Sequence, residues 1–197
     1  PRPLAAPMAL ALLERLAADP HATRLVFELR SGPDGIEYLL GCRASDVQWL
    51  RRLLRQLLPG SALTGLGTPR TPVASAAKLV IRPVGMALKV DTTEATSRAI
   101  LAAANQPLGT DEALVLQVLL GPRSGPTHLP ERATDPRISL LDALLGVTRS
   151  ASTDVRRQLR ERATAAGFQA TIRIGAAGPN PERRARFAGG MQLVHRE

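Results

Sequence analysis

The 197-residue chain is 44% hydrophobic and carries 26 Lys and Arg residues against 17 Asp and Glu residues, which gives a net charge of +9 at pH 7. This length and apolar content allow a buried core and exclude an intrinsically disordered chain. A single cysteine excludes a disulfide framework and a multi-cysteine metal site. No apolar run approaches the ~20 residues that span a bilayer.

In chain order, the first predicted element is a helix that ends before Pro20, because the residue before a proline avoids helical backbone. Residues 24–30 alternate in polarity, and a turn-forming segment separates them from the apolar run 36–42, which predicts a β-hairpin. A second helix follows, with Ser45 as its expected N-cap and Pro59 at its end.

After the second helix, a short strand is predicted over 61–66, and it is expected to complete a β-β-α-β unit with the hairpin and that helix. A linker over 67–75, rich in proline, glycine and hydroxyl side chains, follows it. Three strands then alternate with three helices, with a long exposed loop and a short helix between them. The predicted ranges are 77–84, 113–120 and 168–175 for the strands, 94–104, 153–166 and 181–197 for the helices, 121–136 for the loop and 138–145 for the short helix.

These elements predict an α+β fold of two small lobes with a ferredoxin-like β-β-α-β character. Each lobe is expected to hold a mixed or antiparallel sheet with helices on one side. The expected division is an N-terminal helix over 1–19, a first lobe over 20–66, the linker over 67–75 and a second lobe over 76–197. A single continuous sheet is the alternative.

Motifs for catalysis are missing from the sequence. It contains no P-loop motif, no dinucleotide-binding glycine fingerprint and no nucleophile elbow. The histidines His21, His128 and His195 lie far apart, and none has a second ligand at metal-binding spacing. Cys42 is interpreted as a core thiol. We therefore predict that the chain is not an enzyme and has no catalytic, cofactor-binding or metal-ligating residues and no small-molecule substrate.

Arginine carries the positive charge, because Lys78 and Lys89 are the only lysines among the 26 cations. The planar guanidinium of arginine binds phosphate through two parallel hydrogen bonds. Three predicted helices carry arginines on one face, and together these form a candidate surface for an anionic partner. Its members are Arg51, Arg52, Arg55, Arg156, Arg157, Arg160, Arg183, Arg184 and Arg186. The alternatives are solvated helix faces and a GC-rich codon bias, and aromatic residues for stacking on bases are scarce at 3%.

The order of several segments resembles a known family. The segments are the strands 25–30 and 35–40, the helix that ends at Pro59, and the strands 112–122 and 168–177. Their order is similar to the N-terminal region of conjugative type IV secretion motor ATPases, of the HerA/FtsK-like superfamily and the actinobacterial type. The residues that occupy the family's positions are Glu28, Pro59, Glu112, Gln117, Pro122, Ile172, Arg173 and Ile174. From the residues alone, the side chains of Glu112 and Gln117 are interpreted as hydrogen-bond partners of nearby backbone groups. Arg173 is interpreted as either solvent-facing or paired with a carboxylate.

The resemblance implies a cytoplasmic, membrane-proximal accessory domain without chemistry of its own. The family's Walker motifs would follow Glu197, so we expect the chain to be part of a longer ATPase. ATP and Mg²⁺ would belong to that further domain, and no cofactor is expected here. The implied partners are other secretion-system subunits, with DNA contact and self-association as further possibilities. The alternative function is a freestanding nucleic-acid-binding module that uses the arginine-rich helix faces.

Overall fold

The computed structural model describes residues 6–19, 24–60, 62–65, 70, 72–79, 93–128, 135, 141, 144–146, 149–164 and 166–186. Its helices are α1 (Ala6–Ala18), α2 (Val47–Leu57), α3 (Thr93–Ala104) and α4 (Thr153–Thr164). Its strands are β1 (Leu25–Gly32), β2 (Gly35–Gly41), β3 (Ser75–Leu79), β4 (Ala113–Ser124) and β5 (Gly167–Ala177). Residues 181–186 are also helical.

The five strands form one antiparallel sheet in the order β2-β1-β4-β5-β3, which confirms the predicted α+β class. The two predicted lobes do not have separate sheets. Strand β1, from the range 20–66, pairs with β4, from the range 76–197, along seven residues of each strand. The alternative of a continuous sheet is therefore the one observed, because the apolar strand β4 needs a partner on each side to satisfy its backbone.

One face of the sheet is covered by helices. Leucines of α1 and α2 pack there against the start of β1 and the end of β4, around the buried Leu25 and Leu120. Further along the same face, the end of α3 packs its fully buried Ala104 against Ile174 of β5. Ser31 belongs to this face as well, and its hydroxyl donates a hydrogen bond to the Ala104 carbonyl oxygen at 2.6 Å.

Several local predictions need correction. Ser45 is not the N-cap of α2, because it lies inside a 3-10 turn over Ala44–Asp46 and its hydroxyl donates to Asp46 Oδ1 at 2.8 Å. Residues 62–65, inside the predicted strand 61–66, are not in a strand. Strand β4 runs to Ser124, so the predicted loop begins later than expected.

Other predicted elements fall largely outside the described residues. They are the end of the strand 77–84, most of the short helix 138–145 and the last helix beyond residue 186.

Side-chain caps fix the start of two helices. The backbone N–H groups of Glu182 and Arg183 donate to Asn180 Oδ1 at 2.9 and 3.1 Å, which fixes the start of the helical segment 181–186. Ser152 accepts a bond from the Val155 N–H at 3.4 Å and caps α4.

Candidate functional site: the polar face of the sheet

The sheet face opposite α1, α2 and α3 carries a row of polar side chains that crosses four strands. Antiparallel register places Glu28 of β1 opposite Gln117 of β4, Gln117 opposite Arg173 of β5, and Arg173 opposite Lys78 of β3. Residues paired this way hold their Cβ atoms about 5 Å apart. We call this surface, together with Arg30 and Arg70, the polar face.

A buried carboxylate lies at one end of the row. Glu28 is only 6% exposed, and its Oε2 accepts a hydrogen bond from the Gln117 side-chain amide at 2.7 Å. Its Oε1 lies 3.5 Å from the guanidinium of Arg30 and 3.4 Å from that of Arg70. Because a buried charge is tolerated only with such partners, this cluster fixes the position of each member.

Two like charges lie at the other end of the row. Lys78 and Arg173 are directly opposite each other on β3 and β5, and both are exposed. Neither forms an ion pair with any residue that the structure describes. Like charges directly opposite on neighbouring strands destabilise a sheet. An anion placed between the two side chains would remove that repulsion.

The segment that precedes β3 lies across part of the polar face. A Cβ atom on Gly175 would lie 2.6 Å from Val73 Cγ1, so only a glycine allows this close approach. The Ala74 N–H donates to the Ala176 carbonyl oxygen at 3.1 Å. Arg70, in the same segment, reaches Glu28. Those parts of the predicted linker 67–75 are therefore attached to the sheet, and β3 itself starts at Ser75.

The arginines of α2 lie on the helix-covered side of the sheet. Leu50 and Leu54 bury one face of α2 in the core, which leaves Arg52 and Arg55 exposed and Arg51 half-buried. In α4, Arg156, Arg157 and Arg160 are exposed, and Arg157 lies 3.6 Å from Asp154. These six arginines remain candidates for contact with an anion.

The third predicted group of arginines is largely engaged within the protein. Arg183 Nε lies 2.6 Å from Glu112 Oε1, and its guanidinium also donates to the Pro107 carbonyl oxygen at 2.8 Å. Arg184 donates to the Gly178 carbonyl oxygen. Arg186 is exposed. Arg183 therefore holds the helical segment 181–186 against the loop before β4, and Arg184 bonds to the turn between β5 and that segment.

Glu112 is the acidic partner in that contact. The Gly109 N–H donates to Glu112 Oε2 at 2.8 Å, as the interpretation of Glu112 as a backbone acceptor predicts. This bond, together with Arg183, lowers the pKa of Glu112 below its ordinary value, against an opposing effect of burial. The corresponding interpretation of Gln117 is not confirmed, because its amide donates to a side chain.

The structure does not gather the predicted arginines into one surface. Helix α2 packs near Leu120, at the end of β4, whereas Glu112 and the segment 181–186 lie beside the start of that strand. The seven residue-to-residue steps from Ala113 to Leu120 span about 23 Å. Arg70 and Lys78 were not among the predicted site residues, because the residues they lie beside are distant in the sequence. The sequence shows that β3 and β5 each carry a cation, Lys78 and Arg173. Only the pairing of the two strands shows that these side chains lie side by side.

Cys42, the only cysteine of the chain, is half-buried at the end of β2 and packs against the core cluster of α1 and α2. Burial raises the pKa of its thiol, and the negative charge of Asp46 raises it further. A raised pKa leaves less thiolate at any given pH, so the thiol reacts more slowly than a free cysteine.

We expect the alkylation of Cys42 by iodoacetamide to show a pH midpoint above that of free cysteine. Asp46→Asn removes the repulsive charge and keeps a residue that suits a helix N-terminus, so it should move the midpoint downward. The measurement is the alkylation rate across the pH range in which thiols titrate, followed by mass spectrometry. A midpoint at or below that of free cysteine would contradict the assigned environment.

The described residues hold no group of three or more metal-ligating side chains. No described helix combines the length and the apolar content needed to cross a membrane. Comparison of the chain with protein-family models, curated proteins and solved structures finds no match.

Proposed function

We propose that the chain is a non-catalytic accessory domain of a conjugative DNA-transfer ATPase, and that its polar face contacts the DNA backbone. The class of machine follows from the order of segments that resembles type IV secretion motors. In this proposal the domain works in the cytoplasm near the membrane and also contacts other subunits of the secretion system. Self-association of the domain is compatible with that role.

One observation carries the DNA contact. Lys78 and Arg173 are exposed cations that sheet pairing holds together without a described carboxylate partner. A phosphate oxygen would relieve the repulsion between them, and contact with the backbone alone needs no stacking aromatic residues. The net charge of +9 favours association with a polyanion at long range.

The test measures duplex and single-stranded DNA binding by fluorescence anisotropy between about 50 and 200 mM salt. The logarithm of the affinity should fall linearly with the logarithm of the salt concentration. The double variant Lys78→Gln, Arg173→Gln removes the two cations that share one phosphate in this proposal, so it should weaken duplex binding and reduce the slope by about 1.

The matched control is Arg156→Gln, Arg160→Gln, which removes the same two charges from the exposed side of α4. This variant should change the salt dependence of the affinity by clearly less than the Lys78, Arg173 variant does, because it alters only the long-range electrostatic field of the protein. Absence of binding at the lowest salt, or equal effects of the two double variants, would contradict the DNA contact at the polar face.

The alternative is a freestanding nucleic-acid-binding module that uses its helix arginines. The exposed positions of Arg52 and Arg55 on α2 favour it. For that function, the change of Arg51, Arg52 and Arg55 together to glutamine should abolish DNA binding, and the Lys78, Arg173 double variant should have little effect.

A further inference from the structure

β2 is an edge strand of the sheet. Among the residues that the structure describes, it pairs with β1 alone, and none of their backbone hydrogen bonds engages its outer side. Every second residue of such a strand turns its N–H and C=O outward, where an added strand can pair with them. β2 has seven residues without proline or lysine, whereas the other edge strand, β3, has five and carries Lys78. Among the described residues, the edge of β2 is therefore better suited to pairing with an added strand than the edge of β3.

A cleft of about 510 Å³ runs along this edge. The six consecutive residues 37–42 line it, and residues 62–65 and the start of α2 complete the lining. At about 3.3 Å per residue, the six-residue wall is about 20 Å long. The volume is typical of ligand sites, which span about 300–1,000 Å³, and the length favours an extended peptide over a compact molecule.

The lining combines apolar side chains with positive charge. Arg51 enters from α2 and Arg70 from the side of the polar face, and Glu37 is the one acidic residue of the described lining. Arg51 forms no ion pair with a described residue. Tyr38, the only tyrosine of the chain, is 74% exposed at the same edge. An occupant with acidic and apolar side chains would complement this surface.

We propose that the outer edge of β2 binds an extended acidic segment of a partner protein, which adds to the sheet as a further strand. Backbone hydrogen bonds to β2 supply part of the affinity, and alternate side chains of the segment reach the cleft. Its carboxylates pair with Arg51 and the exposed part of Arg70, and its apolar residues contact the leucines of the lining. This partner and this surface are independent of the DNA contact proposed for Lys78 and Arg173.

The test titrates the chain with a blocked heptapeptide of alternating valine and glutamate. We expect saturable binding, slower amide hydrogen exchange at residues 36–42 and slower alkylation of Cys42, which lines the cleft. A valine–lysine heptapeptide controls for charge. A valine–glutamate peptide with a central proline controls for backbone pairing, because proline removes a donor. Both control peptides should bind at least about tenfold more weakly.

Two charge reversals on α2 form a matched pair. Arg51→Glu places a negative charge in the cleft and should weaken binding of the glutamate peptide by about tenfold. Arg52→Glu changes the net charge equally, one residue outside the lining, and should weaken binding by less than about twofold. The Lys78→Gln, Arg173→Gln variant should keep its peptide affinity even where it loses DNA binding.

The proposal would be overturned if Arg51→Glu and Arg52→Glu weakened peptide binding equally, or if the lysine peptide bound as tightly as the glutamate peptide. It would also be overturned if the peptide bound without slowing amide exchange at residues 36–42, or if the Lys78, Arg173 double variant lost peptide binding. A concentration-dependent dimer, with the same amides protected in the absence of peptide, would overturn it in favour of a second copy of this chain.

Discussion

Replacement of Ile174 by alanine is expected to lower the free energy of unfolding by about 2–5 kcal/mol, the usual cost of a large-to-small change in a core. Ile174 is fully buried at the point where α3 meets the sheet, and Ala104, Leu29 and Leu116 belong to the same cluster. The smaller alanine side chain leaves a cavity at this position. Urea denaturation should show a lower midpoint at an unchanged slope.

The neighbouring residue supplies the control. Arg173 lies on the opposite face of the same strand and is exposed, so Arg173→Gln should change stability by no more than about 0.5 kcal/mol. The effects on DNA affinity should be the opposite of those on stability. Arg173→Gln should lower the affinity, and Ile174→Ala should leave it unchanged under conditions where that variant is folded. If Arg173→Gln destabilises the protein as much as Ile174→Ala, the assignment of the two faces is wrong.

Glu28→Ala is expected to cost about 3–5 kcal/mol, as does the removal of one partner from a buried ion pair. The substitution leaves the guanidinium of Arg30, whose side chain is only 11% exposed, beside an apolar methyl group. The Gln117 amide loses its acceptor at the same time. Thermal and urea denaturation at neutral pH measure the loss.

Two further variants test whether the buried charge causes this loss of stability. In Glu28→Leu, Arg30→Leu both buried charges are removed, so we expect most of the lost stability to return. In Glu94→Ala an exposed ion pair with Arg98 is lost, which should cost no more than about 0.5 kcal/mol. A Glu28→Ala effect as small as that of Glu94→Ala would refute the role of Glu28 as the buried centre of the cluster.

The local part of the fold could be predicted from the sequence, because local signals determine it. The alternation at 24–30 places Glu28 and the apolar Phe27 on opposite faces of β1. The helix predicted over 181–197 starts at residue 181 in the structure, where the Asn180 side chain caps it. Residues 168–175 form the main part of β5, and residues 94–104 form nearly all of α3.

The site depends on pairing between distant parts of the chain, and periodicity carries no information about register. Glu28 meets Gln117 across 89 positions and Arg70 across 42, and Arg173 meets Lys78 only because β3 pairs with β5 in one particular register. A one-residue shift of a strand would turn its member of this row to the other face of the sheet. The arginine-rich helices are visible in the sequence as patterns, but their distance from one another is fixed by the sheet.

The strand order β2-β1-β4-β5-β3 also constrains how the protein is made. The hairpin β1–β2 and the strand β3 leave the ribosome before the two central strands that join them. Until β4 and β5 have been synthesised, β1 has one open edge and β3 has no partner. Such non-local pairing slows folding and exposes strand edges to wrong partners. The single sheet therefore closes only after the segment from residue 113 to residue 177 has been synthesised.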